Sequence, residues 1–406
     1  MINKIVYAMN KVLLTLSFFC LSCFYGICQN DMSDVVERGL NRAVVQHKAM
    51  AYSLLDKKDR LPRTIDKNGN LHIVGPHDWT SGFYPGTLWY LYEATRDDSL
   101  KFFAEEYTRR VENEQYTTDN HDVGFIIFCS YGNGFRLTGN EQYKKVILQA
   151  AKSLSTRYND VTKTIRSWDF NKEEWQYPVI IDNMMNLELL LWSSRAGKNA
   201  EYGRIAKTHA NTTMKNHFRP DFSSYHVVSY DTITGVPEKK QTSQGFSDES
   251  SWARGQAWGL YSFTMMYRET KDPRYLKQAE NIAEFILNHP NLPDDKIPYW
   301  DFNAPDIPND YRDASAGAIM ASGFIELSTL TKNKKLGKRC LDTAERQLRT
   351  LTSKDYLAEP YTNRNFILMH SVGHKPVRSE VDVPLIYTDY YYVEALLRYK
   401  KWILKK

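Results

Sequence analysis

Apolar residues in this chain fall into two kinds of stretch that alternate along it. One kind is apolar nearly all round and rich in small residues, over 80–94, 123–137, 183–195, 252–269, 314–330 and 388–400. Such helices are buried on every side. The other kind repeats apolar positions every three or four residues and keeps its charges on one face, as over 275–287 and 335–351, which reads as a helix half in water. A turn of one type joins the two kinds. It reads "TRDDSL" from Thr95, "TGNEQY" from Thr138, "AGKNAEY" from Ala196, "TKDPRY" from Thr270 and "TKNKKL" from Thr331. The last apolar helix lacks an amphipathic partner, and residues 33–55 supply one from the other end of the chain. Six inner and six outer helices, closed by the meeting of the two ends, predict an all-α fold. The architecture is an (α/α)6 toroid, one domain over residues 29–406 with few strands. Two stretches, 225–244 and 298–311, read as long functional excursions.

In such a ring the segments that lead into the inner helices line one mouth of the central cavity. They read "HDWTSGF" from His77, "NHDVGF" from Asn120, "IIDNMMN" from Ile180, "DESSWARGQAW" from Asp248, "RDASAGA" from Arg312 and "YTDYYY" from Tyr387. Every one carries an aspartate. Asp and Asn are preferred helix N-caps, so each acid has a purely structural reading, and Asp119, Asn120 or Asp122 could cap the helix that follows. Their convergence with Trp79, His121, Trp252, Arg254 and Trp258 points instead to a polar, aromatic-lined pocket.

The composition narrows the partners. Formal net charge is +5 over 406 residues, too mild for nucleic-acid binding. With 27 Tyr and 9 Trp the chain has more rings than a core requires, and rings are the usual platform for sugar faces. Lys4 and Lys11 precede or open the apolar stretch 12–28, and no acid occurs before Asp31. Gly26 and Cys28 fit a small-residue cleavage site, so residues 1–28 read as a signal peptide and the protein as exported and periplasmic. Lipid attachment at Cys23 has weak support, and no integral membrane span is expected in the mature chain. Three of the five cysteines fall in that segment, leaving Cys129 and Cys340. His370 and His374 lack the helix and glutamate of a metal motif, so no metal and no cofactor are expected. The oligomeric state is not legible.

The motifs "HDVGF", "IIDNMMNLELLLW", "SSWARGQAWGLY" and "DYYYVEALLR" together resemble glycoside hydrolase family 88, the unsaturated glucuronyl hydrolases. The resemblance runs from about His77 to Tyr392. It implies that Asp182 is the general acid/base and Asp122 the second essential carboxylate. It also implies that His226 in "YHVVSYD", Gln244 in "TSQGFSDES", and Arg254 and Trp258 surround the substrate sugar, with Trp79 and Trp168 stacking on it. His121 and Gln256, inside the same motifs, complete the expected binding set. The implied substrate is an unsaturated oligosaccharide left by a lyase, expected to be a glycosaminoglycan fragment. The implied reaction is hydration of the C4=C5 enol ether of its terminal uronic acid.

That chemistry needs a carboxyl that is neutral before it acts, which burial and a neighbouring carboxylate supply. Ile180, Ile181, Met184 and Met185 around Asp182 meet the first demand, and Asp122 is expected to be the like charge. The ordinary two-carboxylate glycosidase scheme is the competing mechanism. Competing functions are an unsaturated rhamnogalacturonyl hydrolase, whose acid sits in a different local sequence, and a non-catalytic glycan-binding protein.

Overall fold

The computed structural model describes residues 31–406. The expected signal peptide and Cys23 lie outside the described residues. Among the described residues, twelve α-helices alternate between an inner and an outer layer. The outer layer is α1 (Met32–Leu54), α3 (Asp98–Arg109), α5 (Glu141–Ser155), α7 (Ala200–Asn216), α9 (Pro273–Asn288) and α11 (Lys334–Leu351). The inner layer is α2 (Phe83–Thr95), α4 (Asn133–Thr138), α6 (Leu187–Ala196), α8 (Ala253–Thr270), α10 (Ala314–Leu330) and α12 (Ile386–Arg398). The expected toroid is therefore present, and no helix among the described residues is long and apolar enough to cross a membrane.

The recurring turn has one physical job. At every outer helix the residue before the first turn is Asp or Asn, and its side chain accepts a backbone N–H of that turn. The caps are Asp31, Asp97, Asn140, Asn199, Asp272 and Asn333. A cap of this kind stabilises a helix by about 1 kcal/mol. Of the inner helices only α10 has such a cap, from Asp313 to Ser315. Inner helices draw their stability from all-round burial instead, which leaves the acids at their entrances free for other partners.

The ring closes between α1 and α12. His47 Nε2 lies 3.0 Å from Asp389 Oδ2, both side chains fully buried, and Asp389 also accepts the N–H groups of Ile367 and Leu368. Gly39 of α1 sits so close to α12 that an added Cβ would come within 2.4 Å of the Tyr392 hydroxyl. Any side chain there would hold the seam open. At the far end of the ring, Glu394 of α12 accepts hydrogen bonds from Tyr90, Tyr261, Ser322 and Arg398. It thereby ties α2, α8 and α10 to α12 through one buried carboxylate that is fully satisfied.

Four rings, one from each of four inner elements, form a plate across the axis. Phe83 and Phe125 are 5.2 Å apart by centroid, Phe125 and Trp258 5.5 Å, Trp258 and Tyr391 5.4 Å, and Tyr391 and Phe83 6.0 Å. All four are buried. The plate separates the mouth from a cavity of about 570 Å³ at the far end, which none of the expected site residues lines.

Two inner elements depart from regular helix. The stretch expected as helix over 123–137 begins as a π-helical turn, Gly124–Gly132, and only then becomes α4. The entrance to α6 is a 3-10 turn, Ile181–Asn186. Wide and tight turns of this kind re-aim side chains and recur at functional sites. Asp182 lies inside the tight turn, and Asp122 stands two residues before the wide one. Strands are short, in four small sheets. The three-stranded one joins β1 (Pro178–Ile180), β2 (Val227–Tyr230) and β3 (Pro237–Gln241), all antiparallel. The excursion over 225–244 is thus a hairpin packed beside the Asp182 segment.

Candidate active site

Each acid at the mouth has an identifiable occupation, and two differ from the rest. Asp78 caps Thr80 and pairs with Arg63. Asp248 accepts the Thr242 N–H, Asp313 caps α10 and accepts the Val372 N–H, and Asp389 closes the ring. The side-chain carboxylates of Asp122 and Asp182 accept no N–H from the turn that follows them. The capping role at "DNHDVGF" falls to Asn120, whose side chain accepts the Asp122 N–H at 2.9 Å. The partner of the Asp122 carboxylate is His121 Nε2, at 3.4 Å.

Asp182 is 8% exposed and stands in the 3-10 turn among Ile181, Met184 and Met185. Its Oδ2 has no hydrogen-bond partner. Burial raises its pKa to about 6, against the opposing pull of Arg254 and the Trp258 indole. Asp122 is also held well above the usual carboxylate value, by burial first and then by the charges of Asp182 and Asp78, with Arg157 opposing. Arg254 lies beside Asp182 and not among the groups acting on Asp122. Two such groups titrate as a pair, and the pair retains a proton well above the usual carboxylate range.

His226 lies against both Asp182 and the ring of Trp252, 4.6 Å away by centroid. Its Nδ1 accepts two backbone N–H groups, those of Ser243 and Gln244, at 3.0 and 3.1 Å. Burial holds its pKa well below the ordinary value. The ring is therefore neutral, and its proton is on Nε2.

Arg254 is buried at 1% exposure. Its guanidinium lies over the rings of Trp252 and Tyr387, at 4.5 and 5.3 Å, and donates to the carbonyls of Val372 and Gly373. It approaches Asp313 at 3.4 Å. Gln244 donates to the same Gly373 carbonyl at 3.0 Å. Trp258 is wholly buried in the plate. Trp79 is half-buried on the mouth side, packed on Tyr387 at 4.9 Å and against Phe83 and Phe125. Trp168 stacks on exposed Phe170 at 5.1 Å and 11° and packs edge-on to Trp175.

Two expected binding residues serve as supports. Gln256 spends its amide on the Ser224 N–H and the Phe222 carbonyl, which holds the loop before His226. His121 is 2% exposed, and burial lowers its pKa to about 3, so it is a neutral prop beside Asp122. The sequence reading missed Asn186, Ser167 and Arg157, which hold the two acid-bearing segments. Arg157 donates to the Thr118 carbonyl and pairs with Asp169. Their partners lie far along the chain, so residue type gave no signal for their role even for Asn186, at the end of the segment "IIDNMMN". His370 and His374 diverge, one to Asp382 and the other to the Ser243 carbonyl.

A buried carboxyl pair with a neutral imidazole and rings at a closed-ended mouth can transfer a proton and activate water on a sugar. Comparison with known proteins agrees with that reading. The sequence model of glycosyl hydrolase family 88 matches residues 50–402. An unsaturated glucuronyl hydrolase of Formosa agariphila is 51% identical over 336 residues, covering 82% of this chain and 83% of that one. An unsaturated chondroitin disaccharide hydrolase of Streptococcus pyogenes serotype M1 is 32% identical over 354 residues, covering 85% and 87%. Among solved structures, an unsaturated glucuronyl hydrolase described as specific for heparin superposes with a TM-score of 0.89 at 48% identity. That superposition covers 92% of this chain and 98% of the other.

Proposed function

The chain belongs to glycosyl hydrolase family 88 and is a glycoside hydrolase, and from that premise we propose that it removes the 4,5-unsaturated uronic acid from the end of lyase-generated glycosaminoglycan fragments. The observation that carries the proposal is that Asp122 and Asp182, alone among the mouth aspartates, have no backbone to cap and hold a proton between them. The proton passes from the Asp182 carboxyl to C4 of the C4=C5 bond, and positive charge develops on C5 and the ring oxygen. Water adds its oxygen to C5 and returns a proton to the carboxylate, which restores the acid. The resulting hemiketal opens at the C5–ring oxygen bond, and loss of the C1 substituent releases the remaining oligosaccharide. The neighbouring Asp122 carboxyl keeps the proton from leaving the pair early, and His226 Nε2–H faces the site as a neutral donor.

The heparin-specific relative is the more similar in sequence of the two whose substrates are named, so heparin-derived unsaturated disaccharides are the first substrates to test, with chondroitin-derived ones beside them. The conjugated double bond absorbs in the near ultraviolet, and hydrolysis bleaches it. Loss of absorbance on mixing supports the proposal; binding without bleaching would reduce the protein to a glycan receptor. Export to the periplasm is part of the same proposal, supported by Lys4, Lys11 and the apolar stretch 12–28. N-terminal sequencing of the secreted protein tests it, with Gln29 expected first.

A further inference from the structure

The segments that carry the two acids are bolted together on both sides of each carboxylate. Asn186 ends the 3-10 turn that holds Asp182. It is fully buried, and its Oδ1 accepts the N–H of Phe125, three residues past Asp122, at 2.8 Å. Gly124 makes this approach possible, since an added Cβ would meet Asn186 Oδ1 at 2.5 Å and its Cα at 2.8 Å. On the other side of the acids, Ser167 acts as the go-between. Its hydroxyl oxygen accepts the Ile180 N–H at 2.9 Å, and its carbonyl accepts the His121 N–H at 3.0 Å. His121 and Phe125 thus bracket Asp122, while Ile180 and Asn186 bracket Asp182. The same bond diverts the Phe125 N–H from the helix ladder at the point where the π-helical turn begins.

We propose that Asn186, seated against Gly124, is a positioning residue that fixes the separation of Asp122 and Asp182. The rate consequence rests on the proposed function; the titration consequence does not. A charged or titratable group faces the pair from several elements. Asp78, Arg157 and His121 face Asp122, and Arg254 and His226 face Asp182. None of them is touched by a change at Asn186, so a shift in the pair's titration on such a change reports the separation.

The experiment compares Asn186→Ala with Asn186→Asp in the full mature chain. It reads melting temperature, kcat and KM on an unsaturated disaccharide, the pH–rate profile, and carboxyl NMR titration of the pair. Asn186→Ala removes the clamp. A misplacement of the acids on the order of 1 Å should lower kcat by roughly a hundredfold. KM should stay near the parent value, and weakened like-charge coupling should move the upper titration to lower pH. Asn186→Asp keeps an oxygen for the Phe125 N–H and adds a negative charge, so it should retain most of kcat at acid pH and move the upper titration to higher pH. Opposite shifts support the clamp. Parent kcat and parent titration in Asn186→Ala, with only a lowered melting temperature, overturn it. If Asn186→Ala fails to fold, a collapse of kcat at every pH in folded Asn186→Asp overturns it equally. Should the parent bleach no unsaturated substrate, the functional proposal fails, and the NMR titrations still decide the clamp.

Discussion

His226 Nε2 stands 3.8 Å from Asp182 Oδ2, and neither atom has a hydrogen-bond partner. Two buried polar atoms that face each other just beyond bonding distance are costly to keep unless something else is to stand between them. Because Nδ1 is occupied by two backbone donors, the facing atom of His226 is an N–H. It can donate to a substrate or water oxygen while Asp182 receives or gives the proton.

His226→Ala should therefore lower kcat by about tenfold to a hundredfold, the scale of one lost donor at a reacting centre. The limbs of the pH–rate profile should stay in place, since a neutral histidine held well below its ordinary pKa does not titrate near neutrality. A limb that disappears in the variant would show that His226 itself carries the proton.

Asp182→Asn should cost at least a hundredfold in turnover, the loss expected for a general acid/base. It should also stabilise the protein at alkaline pH. The folded-state pKa, about 6, lies above the unfolded value of 3.8, so the folded state holds the proton longer. Stability from this group is therefore lost as pH rises from about 4 to 6, by about 3 kcal/mol in all. Asn cannot ionise and escapes that loss. Melting temperatures at pH 5 and pH 8 check it: the variant should gain on the parent at the higher pH, and an equal difference at both would refute the buried-carboxyl reading.

Asp122→Asn separates a cap from a member of the pair. Since Asn120 already caps the turn, the change should leave stability near neutral or raise it at alkaline pH. The basic limb of the rate profile should move to lower pH, toward the value near 6 that Asp182 has on its own. A profile of parent height and position would return Asp122 to a bystander.

Arg254→Ala should both weaken catalysis and destabilise the fold. Two carbonyls of the 371–374 strand lose their donor, and an unsatisfied buried acceptor costs about 1–3 kcal/mol. The positive charge that holds Asp182 down is also lost, so the basic limb should move to higher pH. Arg254→Lys, measured beside it, should restore the limb more fully than the melting temperature, because one ammonium cannot bridge two carbonyls in the guanidinium geometry.

The ring was legible because its signal is redundant. Six apolar stretches, five of them followed by a turn that turns out to cap the next helix, repeat one statement, so no single residue had to be read correctly. The acids at the mouth were legible as a set. Which of them act was not visible from type alone, since Asp313 and Asp389 look like Asp122 and are fully engaged structurally. The motif resemblance made that choice, and the free carboxylates now support it. Gln256 was misread because a buried amide inside a motif looks the same whether it faces ligand or loop. Asn186 and Ser167 stayed invisible for the opposite reason. Their work is done by backbone partners sixty-one residues away for Asn186 and forty-six and thirteen for Ser167, and no local pattern records such pairings.

The plate of Phe83, Phe125, Trp258 and Tyr391 makes the toroid a cup instead of a tunnel. A glycan cannot be threaded through a cup. It enters end first, presents one terminal ring at the depth of Asp182, and must back out before the next turnover. Velocity should follow the number of chain ends in solution and ignore chain length, so that equal molarities of unsaturated disaccharide and of much longer fragments of the same linkage release uronic acid at comparable saturated rates. The enzyme would count molecules, not sugars, and its output would track how often the upstream lyase has cut.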